Sequence, residues 1–197
     1  MSWEHPHNDH MIEADSYDEY PYAGYTKILE RIVKACEGCE RVLFVGIGVG
    51  DIARTLYDQG VAITGIDFSQ KMIDICTEAM PSARLLTFDL EKHGLPELGE
   101  TYDAVVSLYY LHTLAFGEKL DMIADMAQLL KPKGKIYIGD VAFASVKAME
   151  ACAEEFEDLF DEDEEDGAFI ASDLKALSKL PSRFDKTSFC SGVITLG

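Results

Sequence analysis

The stretch VLFVGIGVGDIA, from Val42 to Ala53, constrains the fold of this chain more than any other feature of its sequence. An apolar run ends at alternating glycines, and the residues after the glycines have helical spacing. A strand that enters a helix through so short a glycine loop is typical of α/β proteins, in which helices connect parallel strands. The sequence therefore predicts a strand over 41–45, a glycine loop over 46–50 and a helix over 51–59.

The same alternation continues along the chain and predicts a mostly parallel sheet with helices on both faces. Further strands are predicted at residues 62–67, 84–88, 102–108 and 135–141, after a turn at 132–134. Helical periodicity covers residues 25–35, 69–79, 116–130, 146–160 and 172–180. The chain ends in a predicted antiparallel hairpin, with strands at 184–190 and 192–196 around Ser191-Gly192.

No composition shift or linker divides the chain, so its 197 residues are predicted to form one domain. Its parts are an N-terminal arm or lid at 1–24, a core at 25–143 and a C-terminal part at 144–197. The C-terminal part contains the helices, the hairpin and an acidic loop at 161–166. We interpret that loop as solvated, and it would favour a cationic ligand if it lay near a site.

The spacing of the glycines separates two classes of nucleotide site. A dinucleotide fingerprint is G-x-G-x-x-G, whereas Gly46, Gly48 and Gly50 form G-x-G-x-G. Asp51 occupies the place of the third dinucleotide glycine, where its carboxylate would oppose a pyrophosphate at the helix N-terminus. The loop therefore favours a nucleoside without a pyrophosphate over NAD.

Two further acids follow the next two predicted strands. Asp67 ends the second strand, where a carboxylate is placed to accept hydrogen bonds from ribose hydroxyls. Asp89 follows the third strand, where it can accept from an exocyclic amine such as that of adenine. Ligands of open parallel sheets bind at the carboxyl ends of the strands, so these acids and the glycine loop form one predicted nucleoside site.

Five stretches now resemble the class I S-adenosylmethionine-dependent methyltransferases of small-molecule type. They are VLFVGIGVG, GIDFSQKMIDIC, LLTFDLEKHGLP, YDAVVSLYYLHTL and LLKPKGKIYIGD, in the family's order and at its spacing, between about Glu30 and Phe143. The resemblance implies a Rossmann-like, doubly wound, seven-stranded sheet whose last two strands are the antiparallel hairpin. It also implies S-adenosyl-L-methionine as the cofactor.

The resemblance assigns cofactor contacts to residues at the ends of the first four strands. They are Gly46, Ile47, Gly48 and Gly50 at the methionine part, Asp67 at the ribose with Phe68 next to it, Asp89 and Leu90 at the adenine, and Ser107, Leu108 and Tyr109 beside the sulfonium. Tyr17 and Tyr22 belong to an arm that resembles the family's segment over the cofactor, and we expect contact from at least one of them. The alternative is that they are surface tyrosines of the arm.

Phe44 departs from the family pattern, which has Asp or Glu two residues before the first glycine. That acid helps to position the cofactor's amino group, and a phenylalanine side chain accepts no hydrogen bond. Two hypotheses follow. Either other groups bind the cofactor in its place, or cofactor binding is lost and the chain is a scaffold.

Transfer of a methyl group from a sulfonium needs alignment and exclusion of water, and a base only where the acceptor must lose a proton. The candidate catalytic residues are His112 and Tyr109, at and beyond the end of the fourth strand. The alternative for His112 is a structural role at the start of the next segment. The acceptor is expected to be a small molecule, because the arm and the C-terminal insertion are short.

The charge of the chain argues against some classes of partner, and its cysteines indicate the redox compartment. The chain has 36 acidic and 17 basic residues, a net charge of −19, which disfavours nucleic acid and anionic membrane surfaces. Its five cysteines, without a predicted signal peptide, indicate reduced thiols and a cytoplasmic location. We expect no metal site, because Cys36-x-x-Cys39 lacks a second pair, and either a monomer or a homodimer.

Two alternative functions stay open at this point. One is a non-catalytic module that binds S-adenosylmethionine or S-adenosylhomocysteine and acts through a partner, which Phe44 favours. The other is an NAD(P)-dependent oxidoreductase, against which Asp51 counts.

Overall fold

The computed structural model describes residues 20–156, 168–172 and 180–197 of the chain. Its α-helices are α1 Tyr25–Ala35, α2 Asp51–Asp58, α3 Gln70–Ala79, α4 Leu90–His93, α5 Phe116–Gln128 and α6 Val146–Glu155. Its strands are β1 Arg41–Val45, β2 Ala62–Asp67, β3 Arg84–Thr87, β4 Tyr102–Leu108, β5 Leu130–Phe143, β6 Phe169–Ile170, β7 Ser182–Lys186 and β8 Ser191–Leu196.

Seven strands form a continuous sheet in the order β3-β2-β1-β4-β5-β8-β7. The first five are mutually parallel, and β8 lies antiparallel between β5 and β7. The two-residue strand β6 pairs in parallel with the end of β5. The strand order reverses direction between β1 and β4, which is the place where open α/β sheets bind ligands. The α/β, doubly wound and mostly parallel fold is therefore confirmed, as is its antiparallel C-terminal pair.

Strand β1 shows why the sheet has two covered faces. Leu43 and Val45 point into the apolar layer under α4 and α5, whereas Val42 and Phe44 point into the layer under α1, α2 and α3. Because successive side chains of a strand alternate between faces, an apolar run such as RVLFV suits a strand that is buried on both sides. A third apolar cluster joins α6 and Tyr20 to the end of β5.

Helix α1 packs directly on the backbone of β5. A Cβ atom at Gly139 would stand 2.3 Å from Cγ2 of Ile28 and 2.8 Å from Cδ2 of Leu108. The absent side chain lets Ile28 and Ile32, both fully buried, reach the middle of the sheet. This contact places the start of α1, and with it Tyr22 to Tyr25, over the carboxyl ends of β4 and β5.

The C-terminal hairpin is present, but its turn lies elsewhere than predicted. The structure turns at 187–190, so Phe189 and Cys190 are outside the strands and Ser191-Gly192 begin β8. The Oγ atom of Ser188 accepts from the backbone N–H groups of Cys190 and Ser191, which closes the turn four residues early. A serine that bonds to its own backbone favours a turn over a continued strand.

The fifth strand is longer than predicted and includes the expected turn. Residues 132–134 belong to β5, with a register shift against β4 and a left-handed backbone at Lys133, whose φ is 71°. Helix α5 ends at Gln128 instead of residue 130, because Leu130 already pairs with Tyr102.

Several predictions fall on residues outside the described ranges. They concern Tyr17 with the rest of segment 1–19, the acidic loop at 161–166 and most of the predicted helix at 172–180. Within the described residues, no helix combines the length and the apolar character that crossing a membrane demands.

Candidate functional site

The glycine loop leaves β1 and folds back on the end of β2. The backbone N–H groups of Gly46 and Ile47 both donate to the carbonyl of Ile66, which anchors the start of the loop. Gly46, Gly48 and Gly50 have φ angles of 72°, 56° and 80°. Such left-handed backbone is costly for other residues, so the alternating glycines are what allows this tight path.

The three glycines face different surroundings. A Cβ atom at Gly46 would stand 2.9 Å from Tyr110, and one at Gly50 would stand 2.8 Å from the thiol of Cys76. A Cβ atom at Gly48 would meet nothing within 4 Å. The outer two glycines are therefore required by packing, and the backbone of Gly48 borders open space.

Asp67 joins the end of β2 to this loop. Its Oδ2 atom accepts from the backbone N–H of Gly48 at 2.9 Å, and its Oδ1 atom accepts from that of Ser69 at 2.9 Å. The residue is only 6% exposed. Burial raises the pKa of the Asp67 carboxyl, although these backbone N–H groups oppose the rise. Each carboxylate oxygen keeps a further lone pair for a ligand.

The ends of β2 and β3 present an aromatic ring and a second carboxylate. Phe68 is 51% exposed, one of the few large apolar side chains on the described surface. Asp89 caps α4, with Oδ1 accepting from the backbone N–H of Lys92 at 3.0 Å and Oδ2 bonding its ammonium at 3.1 Å. These bonds lower the pKa of Asp89. Leu90 is buried behind it.

Two buried hydroxyls lie at the end of β4 and just beyond it. Within the described part of the chain, Ser107 Oγ and the Tyr110 hydroxyl are buried without a hydrogen-bond partner. Burial, reinforced by the nearby carboxylates of Glu91, Asp67 and Asp89, raises the pKa of Tyr110. Polar atoms of this kind are costly unless something satisfies them, and a polar ligand group would satisfy them. Leu108 lies beside them, half-buried.

Tyr109 has a left-handed backbone, with φ of 45°, that turns its ring toward the N-terminal segment. Its ring centroid lies 5.2 Å from that of Tyr22 and 5.7 Å from that of Tyr25. Burial raises the pKa of Tyr109, which leaves very little phenolate at neutral pH. The structure thus places the ring of Tyr22 against that of Tyr109, at the end of β4.

His112 is held by a carboxylate that the sequence did not single out. Its Nδ1 atom lies 2.7 Å from Oδ1 of Asp140, and its backbone N–H donates to Oδ2 of Asp140 at 3.2 Å. Asp140 is fully buried near the end of β5, whereas the side chain of His112 keeps 17% exposure. A buried carboxylate that fixes Nδ1 orients the imidazole with Nε2 as its proton-accepting atom, an arrangement typical of general bases. Among the described residues, no cluster of histidine, cysteine and acidic side chains suits a metal ion.

At the end of the glycine loop, Asp51 follows Gly50 as the first residue of α2. Its Oδ2 atom accepts from the hydroxyl of Tyr25 at 2.8 Å. Behind the loop, the thiol of Cys76 donates to the carbonyl of Gly48 at 3.3 Å. Burial, together with the carboxylates of Asp67 and Asp51, raises the pKa of Cys76 to about 11.

Two members of this site were missed from the sequence, Asp140 and Tyr25. Asp140 carried a usable signal, because it stands at the carboxyl end of a strand in IYIGD, as Asp67 does in TGID. Tyr25 carried none, since its role depends on where α1 packs.

Comparison with known proteins gives a consistent result. Residues 42–134 match the family described as methyltransferase domain. The uncharacterized methyltransferase GK2543 of Geobacillus kaustophilus is 32% identical over 157 residues, which cover 76% of this chain and 72% of that protein.

Solved structures with this fold include the following two. The PH0226 protein from Pyrococcus horikoshii superposes with a TM-score of 0.69 at 18% identity, over 92% of this chain and 94% of its own. The plantazolicin methyltransferase BpumL, in complex with SAH, superposes with a TM-score of 0.66 at 14% identity, over 92% and 87%. At these identities the similarity shows the fold.

Proposed function

The chain belongs to the class I S-adenosylmethionine-dependent methyltransferases, and we propose that it methylates a small molecule whose acceptor atom must lose a proton. The observation that carries this proposal is that the open backbone at Gly48, bonded to the buried carboxylate of Asp67, and the His112–Asp140 pair both lie near the carboxyl ends of the parallel strands. A nucleoside and an acceptor can meet there.

The residues at this edge suit S-adenosylmethionine. Gly48 leaves space at the loop where a Cβ atom would otherwise project. Asp67 has lone pairs for two ribose hydroxyls, Asp89 has one for the adenine amine, and the exposed ring of Phe68 offers an apolar face to the base. A ligand that covers this ring would remove apolar surface from water, which favours binding.

When bound, the cofactor supplies a methyl group already activated by a sulfonium. The protein's contribution is then to align the acceptor and to exclude water. We assign the wall around the acceptor to the rings of Tyr22 and Tyr109, whose centroids lie 5.2 Å apart. The hydroxyl of Ser107 lies at the end of β4 without a protein partner in the described part, which suits a polar ligand group.

We assign removal of the acceptor's proton to Nε2 of His112. Asp140 accepts from Nδ1, which fixes the ring and favours the imidazolium that forms when Nε2 takes the proton. Of the two candidate catalytic residues, Tyr109 is the less suited to take a proton, because burial raises its pKa and leaves almost no phenolate at neutral pH. Its proposed role is to line the acceptor site.

A small, soluble acceptor suits the charge of the protein. With a net charge of −19, the chain would repel nucleic acid and anionic lipid surfaces. A cytoplasmic location and a monomeric or homodimeric state belong to the same proposal.

Calorimetric titration tests the cofactor. We expect S-adenosylmethionine and S-adenosylhomocysteine to bind at about micromolar level, NADH and NADPH not to bind, and Asp67→Ala to weaken binding at least about tenfold through loss of charged hydrogen bonds. If neither sulfur nucleoside bound at millimolar concentration, the proposal would fail.

A panel of phenols, thiols, amines and carboxylic acids tests the chemistry. His112→Asn should lower kcat by roughly 100-fold with little change in cofactor affinity, because it removes only the base. Asp140→Asn should give a smaller loss and a shifted pH profile of kcat. Asp121→Asn, at an exposed acid in the middle of α5, is the matched control for Asp140→Asn. Cofactor binding without turnover on any acceptor would instead favour the non-catalytic module that Phe44 suggests.

A further inference from the structure

Resting on the proposed function, we propose that Asp51 binds the α-ammonium group of the cofactor. It thereby replaces the acid that the family pattern places at Phe44. The geometry that points to this is a carboxylate at the end of the glycine loop, already oriented by the hydroxyl of Tyr25.

Phe44 cannot take part in binding. It is buried in the apolar layer beneath α1, α2 and α3, among side chains such as Ile28 and Ile52. A carboxylate at this position would have to be buried there as well, at a high cost in desolvation. A carboxylate that binds the ammonium of the methionine part in this chain must therefore come from a different element.

Asp51 has the position and the free bonding capacity. It is exposed, and of its two carboxylate oxygens only Oδ2 is bonded within the described structure, to Tyr25. Tyr25 is itself only 5% exposed and packs against the ring of Tyr109. The carboxylate is thus fixed by a buried neighbour, while Oδ1 is left to accept from a ligand.

The two carboxylates of the loop lie in the right order for this ligand. Asp67 bonds Gly48 from the β2 side of the loop, and Asp51 is tied through Tyr25 to Tyr109 at the end of β4. Both act on the thiol of Cys76, which bonds the carbonyl of Gly48. A ligand that reaches from Asp67 to Asp51 would therefore cross the open backbone of Gly48.

The chemistry of Asp51 also selects the ligand. A carboxylate and an ammonium form a charge-assisted hydrogen bond, and the same carboxylate repels the pyrophosphate of a dinucleotide. It also repels the cofactor's own carboxylate, which leaves the ammonium as the group that faces α2. One side chain thus fixes both the class and the orientation of the ligand.

Calorimetry with two ligands tests the inference. S-adenosylhomocysteine carries the amino acid, whereas 5′-methylthioadenosine is the same nucleoside thioether without it. We expect Asp51→Asn to weaken S-adenosylhomocysteine about fivefold to tenfold and to leave 5′-methylthioadenosine within about twofold. Asp58→Asn removes the same charge from the exposed far end of α2 and should affect neither ligand.

Tyr25→Phe provides a second variant, which keeps the Asp51 carboxylate but removes the hydroxyl that orients it. It should weaken S-adenosylhomocysteine by less than Asp51→Asn does, again without effect on 5′-methylthioadenosine. An equal loss for both ligands in Asp51→Asn, or no loss for either, would overturn the role of Asp51 while the proposed function stands. Failure of the wild-type protein to bind S-adenosylhomocysteine would overturn the proposed function as well.

Discussion

Two features of its surroundings shift the pKa of Asp67 in opposite directions. Its burial favours the neutral acid, whereas the backbone N–H groups of Gly48 and Ser69 favour the carboxylate. The net effect is a pKa raised above the ordinary value of 3.8. The ionised form accepts hydrogen bonds through both oxygens, whereas the acid donates from one, so the nucleoside binding that we propose at Asp67 depends on this balance.

The pH dependence of binding follows from that pKa. Because the pKa is raised, Asp67 takes up its proton at a higher pH than a free aspartate does. Affinity for S-adenosylhomocysteine should therefore be constant at neutral pH and begin to fall, on acidification, at a higher pH than for a free aspartate. Calorimetry from pH 7.5 downward measures this, with Asp67→Asn as the variant that should lose the acid limb. A persistent acid limb in that variant would assign the titration to another group.

The sequence predicts some of the site's side chains and misses others for a physical reason. Asp67 and Asp89 are predictable, since the end of a parallel strand fixes their place at the ligand edge. The pairs His112–Asp140 and Tyr25–Asp51 are not, because their members are 28 and 26 positions apart. Which strands adjoin and which rotamers meet is decided by tertiary packing.

At the scale of the element, the glycine loop separates packing from ligand access. Gly50→Ala places a Cβ atom 2.8 Å from the thiol of Cys76 in addition to a strained φ, whereas Gly48→Ala adds only the strain. We expect losses in the free energy of unfolding of about 2–3 kcal/mol for Gly50→Ala and about 1 kcal/mol for Gly48→Ala. Urea denaturation measures both.

The substitution that costs less stability, Gly48→Ala, should cause the larger loss of ligand binding. Gly48→Ala, the milder change to the fold, fills the open space at the loop and should abolish binding of S-adenosylhomocysteine. If Gly48→Ala bound the nucleoside normally, the space beside Gly48 would not be the ligand's path.

The turn between β7 and β8 holds the N-terminal segment in place. Ser191 is fully buried, and its Oγ atom donates to the carbonyl of Ala23 and lies 2.9 Å from the hydroxyls of Thr187 and Ser188. Ser191→Ala leaves these groups buried with fewer partners and should cost roughly 1–3 kcal/mol of stability. Faster proteolysis near Tyr22 should accompany the loss. Ser182→Ala, near the start of β7, is a control expected to change neither.

Elements were predicted well where the pattern is strong and local. The bounds of α1, β1, β2 and β4 coincide with the prediction, because long apolar runs and helical periodicity specify them. The hairpin turn and the start of β5 differ, since Ser188 bonds its own backbone and Leu130 pairs with Tyr102 across the sheet. Side-chain bonds and long-range pairing decided both places.

At the scale of the whole molecule, the excess of acidic residues opposes folding. A net charge of −19 on 197 residues produces repulsion that salt screens. The melting temperature should rise between 20 and 500 mM NaCl by roughly 3 °C for each ~1 kcal/mol of relieved repulsion. Calorimetric scans at matched pH measure it. A constant or falling melting temperature would mean that local ion pairs outweigh the net charge.

The thiol of Cys76, behind the glycine loop, bears on whether the protein methylates itself. An enzyme that holds a sulfonium carries an alkylating agent, and the thiol of Cys76 is a soft nucleophile directly behind the glycine loop. The pKa of Cys76 is about 11, and its S–H is engaged with the carbonyl of Gly48. Since the thiolate is the reactive form, almost none exists at neutral pH. The packing that shapes the loop thus also guards the protein against methylating itself.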